Sequence, residues 1–401
     1  MIVILKHVVV LSIAMMFCGC VTTVDFSEGR AVSRPELPTV QVFYDKQGDI
    51  YPSSWQASDK KLTQNSDNSL ICEFNEFNEF KRSLCGLTNS AIYSNPETEN
   101  QYKAWRQIQK AESSRVVNEI VRELESTNNK TVVILIHGFR VPDAQKDYGK
   151  VKEVLLNKRG KDESPVFLEV HWDGRASPTL PFSALKAWPP AQWTAPAVGF
   201  RLRPLLNELN EKVEQRGDKV NLFVLTHSTG AVVAGALFGN PRGALGCLES
   251  EKSADKCGAN YTEFLASIKS GDEATSVPEW NNMNLVMLAP ATSWATFVVP
   301  GQSELGYQGV QNANLVFSHS EDDGALKKYV GLPGLLGHSG LGSRRADLKI
   351  VEEGLSGANP KRANVIVLEM SEELGSKHDF TGYIGTSEFS KAVELLWDTR
   401  R

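Results

Sequence analysis

The sequence predicts an α/β fold: a mostly parallel central sheet with helices on both faces, preceded by an N-terminal extension. Three observations predict it. Short apolar stretches alternate with longer stretches of helical periodicity along most of the chain. The apolar stretches are apolar at successive positions, so both of their faces belong under helices rather than in water. Two of them stop abruptly at turn-forming residues, at Gly138 after His137 and at Ser228-Thr229-Gly230.

Thr39 to Tyr44 alternates apolar and polar and reads as a strand. Residues 45–98 are loop-rich, and the repeated Glu-Phe-Asn from Glu73 matches neither a helix face nor a strand. Residues 101–126 read as a helix with Val116, Val117, Ile120, Val121 and Leu124 on one face, stopped by Ser126-Thr127-Asn128-Asn129. Strands are then expected at 131–136, 166–171, 220–226, 284–289, 313–318 and 363–369. Helices are expected at 146–157, 196–215, 229–238, 260–270 and 387–397.

A chain of 401 residues accommodates one large α/β domain with an extension. Its net charge of −5 offers no electrostatic footing for nucleic acid. Residues 1–19 read as a secretory signal, with Lys6 in a positive head and Val8 to Phe17 as an apolar stretch too short to span a bilayer. Phe17-Cys18-Gly19-Cys20 resembles the bacterial lipobox, which implies cleavage before Cys20 and lipidation of its sulfur. Acyl chains contribute about 0.8 kcal/mol per buried CH₂, and two or more hold a protein on a membrane. Val21 follows the cysteine where Asp is absent, and by resemblance to Gram-negative lipoproteins this implies the outer membrane. Residues 20–38 then form the lipidated Cys and a tether, and 39–128 an N-terminal extension. In that oxidising compartment Cys72 with Cys85 and Cys247 with Cys257 is the economical disulfide pairing, with three connectivities open. No spacing of Cys and His suggests a metal site.

The chemistry lies in the order of four pieces. An apolar run ends in His137-Gly138-Phe139, a second ends in Thr226-His227-Ser228-Thr229-Gly230, an acidic Glu321-Asp322-Asp323 follows a third, and His378 follows the last. A serine on a tight strand-to-helix turn needs small neighbours two residues away on each side, which Thr226 and Gly230 provide. The positive end of the following helix faces a developing oxyanion.

This order, serine then acid then histidine, resembles the α/β-hydrolases, and Ser-x-x-x-Asp-Asp-x-Ala-Leu resembles an uncharacterised bacterial branch of them. The resemblance spans about 130–400 and implies an α/β-hydrolase domain at 129–401. It implies Ser228 as nucleophile, His378 as base and Asp323 as the acid that orients it, with Asp322 the runner-up. The backbone amides of Phe139 and Thr229 would form the oxyanion hole. His137, His171 and His227 read as structural, and His319 and His338 as weaker competitors for the base. The expected activity is that of a membrane-anchored serine hydrolase cleaving a carboxylic ester or thioester, in a small molecule or lipid, without a cofactor. The alternative is a non-catalytic envelope lipoprotein that keeps the fold as a binding or assembly module.

Overall fold

The computed structural model describes residues 36–45, 47–53, 94–127, 130–139, 144–159, 164–172, 183–239, 278, 280, 282–298, 313–326, 340–356 and 363–397. Cys20, Cys72, Cys85, Cys247, Cys257, His338 and the helix expected at 260–270 lie outside those residues.

Seven strands form one all-parallel sheet: β1 (Thr39–Tyr44), β2 (Thr131–Ile136), β3 (Val166–Trp172), β4 (Asn221–His227), β5 (Met283–Leu288), β6 (Ala313–His319) and β7 (Ala363–Glu369). Their spatial order is β1-β3-β2-β4-β5-β6-β7. β2 and β4 to β7 march in one direction, while β3 and β1 lie on the other side of β2. The chain therefore reverses its direction of travel at β2, and β2 and β4 are neighbours at the switch. Ligands in open α/β sheets bind beyond the carboxyl ends of the strands at such a switch. Together with the tight turn after β4, this is an α/β-hydrolase-like fold.

The helices are α1 (Pro96–Thr127), α2 (Ala144–Arg159), α3 (Ser183–Gln215), α4 (Gly230–Phe238), α5 (Arg345–Ser356), α6 (Ser371–Leu374), α7 (Phe380–Ile384) and α8 (Ser387–Trp397). Because side chains alternate across a strand, each central strand supplies two cores. Val132, Ile134 and Ile136 of β2 belong to a core that also takes in α1, α3, α4 and α5, through residues such as Ile120, Leu202, Val233 and Leu348. Val133 and Leu135 face the other way, into a second core that takes in α2, α7 and α8 through Val151, Tyr383 and Val393. Burial of such a side chain contributes roughly 1.5–3 kcal/mol, so each central strand is held from both sides.

Strands β1, β2 and β7 and helix α8 have the expected bounds, α2 and α4 differ from theirs by one or two residues, and the short α6 and α7 were not expected; three helices depart further. α1 begins at Pro96 rather than 101, because Asn95 caps it: the Glu97 amide donates to Asn95 Oδ1 at 2.9 Å, and Pro96 needs no amide in the first turn. α3 begins at Ser183 rather than 196 and runs through Pro189, Pro190 and Pro196. α5 was not expected; Leu348, Val351 and Leu355 give it a buried stripe. Both β1 and α1, from the span set off as an extension, pack into the body of the domain.

At the β1 edge the polar groups are buried but paired. Lys152 Nζ lies 2.7 Å from Glu169 Oε1, both side chains wholly inaccessible, and also donates to Thr39 Oγ1. Gln41 Nε2 donates to the second Glu169 oxygen at 2.6 Å. His171 completes the cluster, 3.5 Å from Glu169 and stacked on Phe43. Burial alone would raise the Glu169 carboxyl, but the His171 hydrogen bond and the Lys152 charge hold it down at about 2.

Candidate active site

Ser228 occupies the turn between β4 and α4 with φ of 53°, a backbone conformation that costs a residue other than glycine of order 1–3 kcal/mol. The surroundings hold it there. Its amide donates to Leu288 O at 2.9 Å, and its carbonyl accepts from Ala231 and Ala291. The two glycines of the motifs are there for space. A Cβ on Gly138 would lie 2.8 Å from Ser228 Cβ and 2.9 Å from His227 O. A Cβ on Gly230 would lie 2.7 Å from Ile136 O and 2.8 Å from His137 O. The loop after β2 and the turn after β4 thus touch backbone to backbone.

His378 stands after β7 and α6, and its Nε2 is 3.0 Å from Ser228 Oγ. Its Nδ1 is 2.7 Å from Asp323 Oδ2. The three residues nominated from the sequence therefore form one hydrogen-bonded chain from three strand ends. Asp323 is fully buried, while Asp322 is exposed. Asp323 also caps the turn that follows it: its Oδ1 accepts the Ala325 and Leu326 amides, each at 3.0 Å. Burial pushes the Asp323 carboxyl up, but the hydrogen bond and charge of His378, the Leu326 amide and Tyr383 outweigh it and hold it below the usual range.

Of the two residues expected to donate amides, Thr229 follows Ser228 at the start of α4 with its side chain buried, and Phe139 follows Gly138, half-buried against the core. The loop carrying Phe139 is set by His137. Its Nε2 accepts the Trp172 amide at 3.2 Å and its Nδ1 is 2.8 Å from Gly138 O, so the proton sits on Nδ1. Trp172 stacks on the ring and donates from Nε1 to His137 O, and the Tyr148 hydroxyl accepts the His137 amide. His137 is committed on both nitrogens and cannot serve as a base.

The other histidines are equally placed. His227 is stacked on Phe380 with ring centroids 5.0 Å apart, and neither of its nitrogens has a hydrogen-bond partner among the described residues. Burial, with His378 adding to it, depresses it to about 3, so it is neutral. His319 pairs with Glu369 at 2.7 Å, away from Ser228. At the far end of α4, the buried Arg203 donates to Ala236 O, Leu237 O and Gly239 O, capping the helix whose amino end faces the serine.

Sequence reasoning missed Tyr383, whose hydroxyl donates to Asp323 Oδ2 at 2.7 Å. The only signal for it was position, one helical turn beyond His378-Asp379. A cavity of about 390 Å³ lies elsewhere, between α1 and α3 and lined by Arg106, Ser113, Arg201 and Glu208; it includes none of the residues around Ser228. Among the described residues no group of three or more His, Cys, Asp or Glu side chains could hold a metal ion. No helix among them is long and apolar enough to cross a membrane.

No family model matches the chain. No curated protein matches it either. Among solved structures it is similar to the apo form of Thermogutta terrifontis esterase 2, at 10% identity and a TM-score of 0.32, covering 67% of this chain and 81% of that one. At that distance the likeness carries no argument, and the site has to be read from its own geometry.

Proposed function

We propose that the protein is a serine hydrolase that cleaves a carboxylic ester or thioester through an acyl-enzyme. One observation carries this reading: Ser228, His378 and Asp323 form a continuous chain of hydrogen bonds of 3.0 and 2.7 Å, with the serine strained at the end of a buried strand. A serine placed only to cap a helix needs neither the histidine nor the positive φ.

In this mechanism Ser228 Oγ attacks the substrate carbonyl carbon while His378 Nε2 takes its proton. Asp323 stabilises the resulting imidazolium and fixes the ring's orientation. The amides of Phe139 and Thr229 receive the oxyanion, each such donor typically contributing about 2.7–4 kcal/mol to lowering the barrier. Collapse expels the alcohol or thiol, which takes the proton back from His378. Water then repeats the sequence on the acyl-enzyme and frees the acid and Ser228. Every group required comes from the chain itself.

The amino terminus adds a location to this reading. Cleavage before Cys20 and lipidation of its sulfur would tether the hydrolase to the outer membrane, close to lipid or small-molecule esters. The test of the chemistry is covalent labelling with a fluorophosphonate, read by peptide mass spectrometry. Labelling at Ser228 that is absent in Ser228→Ala and falls sharply in His378→Ala is expected. A folded protein that takes up no probe at Ser228 would favour the non-catalytic binding module instead.

A further inference from the structure

Asp323 has more partners than its proposed task demands. A carboxylate offers about four lone-pair sites, and here all are used: Oδ1 by the Ala325 and Leu326 amides, Oδ2 by His378 Nδ1 and the Tyr383 hydroxyl. The last two share one oxygen at 2.7 Å each. Tyr383 is fully buried, so no water replaces it as donor. Its place is fixed by α7, whose amino end is capped by Asp379 through the Gly382 amide and Thr381 hydroxyl, and whose last turn is tied by Thr386 Oγ1 to Tyr383 O.

We propose that Tyr383 is a positioning residue for the hydrolysis, drawing charge from the Asp323 oxygen that holds His378 and so setting how strongly that carboxylate supports the imidazolium. The proposal rests on the roles given above to Ser228, His378 and Asp323. The phenol remains a neutral donor: burial, reinforced by the Asp323 charge, pushes it well above the ordinary tyrosine range. Other titratable groups near the pair are accounted for. His227 faces His378 from the end of β4 with centroids 5.0 Å apart and is neutral. Asp379 is turned to its own helix, and Glu321, Asp322 and Lys377 are exposed.

The sign of the effect follows. Without the hydroxyl, Asp323 keeps more charge for the imidazolium, protonated His378 is favoured, and the fall in serine reactivity on acidification begins at higher pH. The experiment is the second-order rate of fluorophosphonate labelling at Ser228, from about pH 5 to about pH 9. It is run on the wild type, on Tyr383→Phe, and on protein carrying 3-fluorotyrosine at 383. The acid limb should move up by about 0.5–1 unit in Tyr383→Phe. It should move down with fluorotyrosine, whose more acidic phenol is a stronger donor. A rate lowered equally at every pH, with the limb in place, would make Tyr383 merely structural and overturn the proposal, as would limbs moving the same way in both variants. The fluorotyrosine protein decides the matter if Tyr383→Phe does not fold. Absence of labelling in the wild type would instead overturn the hydrolase reading itself.

Discussion

The contact between the loop after β2 and the serine turn can be broken with one methyl group. In Gly138→Ala the new Cβ would lie 2.8 Å from Ser228 Cβ, where ordinary contact begins at 3.4 Å, so the two backbones must separate by about 0.6 Å. Neither partner is the free end of a flexible side chain. The loop must therefore lift away from Ser228, and the Phe139 amide moves with it. Catalytic geometry is held to about 0.5 Å, and a displacement of about 1 Å can cost on the order of a hundredfold in rate. Labelling of Ser228 by a fluorophosphonate should slow by roughly ten- to a hundredfold, and overpacking should cost about 1–3 kcal/mol of stability. Gly217→Ala is the control. Its φ of 70° penalises a Cβ by about 1–2 kcal/mol, but nothing lies within 4 Å of that Cβ. It should lower the unfolding midpoint in urea similarly while leaving the labelling rate intact. Wild-type labelling in Gly138→Ala, or equal slowing in Gly217→Ala, would refute the reasoning, because reactivity would then follow stability rather than the contact at Ser228.

Glu169, held at about 2 against an ordinary 4.5, contributes stability that is complete above about pH 4.5 and is lost as pH falls through about 2. Glu169→Gln, which strands the buried Lys152 charge, should cost about 3–5 kcal/mol at neutral pH and flatten the urea midpoint across that window; an unchanged slope would count against the pair. His227, depressed from 6.5 to about 3, gives stability that is complete above about pH 6.5 and lost as pH falls through about 3. His227→Phe keeps the stack on Phe380 and removes two nitrogens that have no hydrogen-bond partner among the described residues, so it should resist acid better than the wild type while Ser228 still labels; an acid profile like that of the wild type would be the contrary result. Cys20→Ser should abolish incorporation of radiolabelled palmitate and release the protein from the membrane fraction, whereas persistent incorporation would move the lipid elsewhere.

The fold and the three residues of the proposed triad were legible because their signals are local. Runs such as Val132 to Ile136 have no polar face, so they could only be buried strands, and Gly138 and Gly230 mark where backbones must meet. The unexpected elements had local signals outweighed by others. The stripe of Leu348, Val351 and Leu355 follows a glycine-rich run that reads as loop, and the prolines at 189, 190 and 196 concealed the early start of α3. Arg203 carried no local signal, and Tyr383 only its position beyond His378-Asp379. Each acts on a residue far away in sequence, Tyr383 on Asp323 and Arg203 on the carbonyls of 236–239, and only the folded chain brings those partners together. The cluster of Thr39, Gln41, Lys152, Glu169 and His171 was hidden likewise: His171 reads as structural, but nothing local names the other four as its company.

All nine residues of α4 are buried. Its contact with α3 is so close that a Cβ on Gly199 would lie 2.1 Å from Val233 O. Many proteins lose function on heating before they lose structure, because the working parts sit on segments that open locally. Here the helix behind Ser228 is sealed in the core it shares with α1 and α3, and exposing it means taking that core apart. Its amides belong among the last to exchange with deuterium, and heat inactivation should coincide with global unfolding rather than precede it.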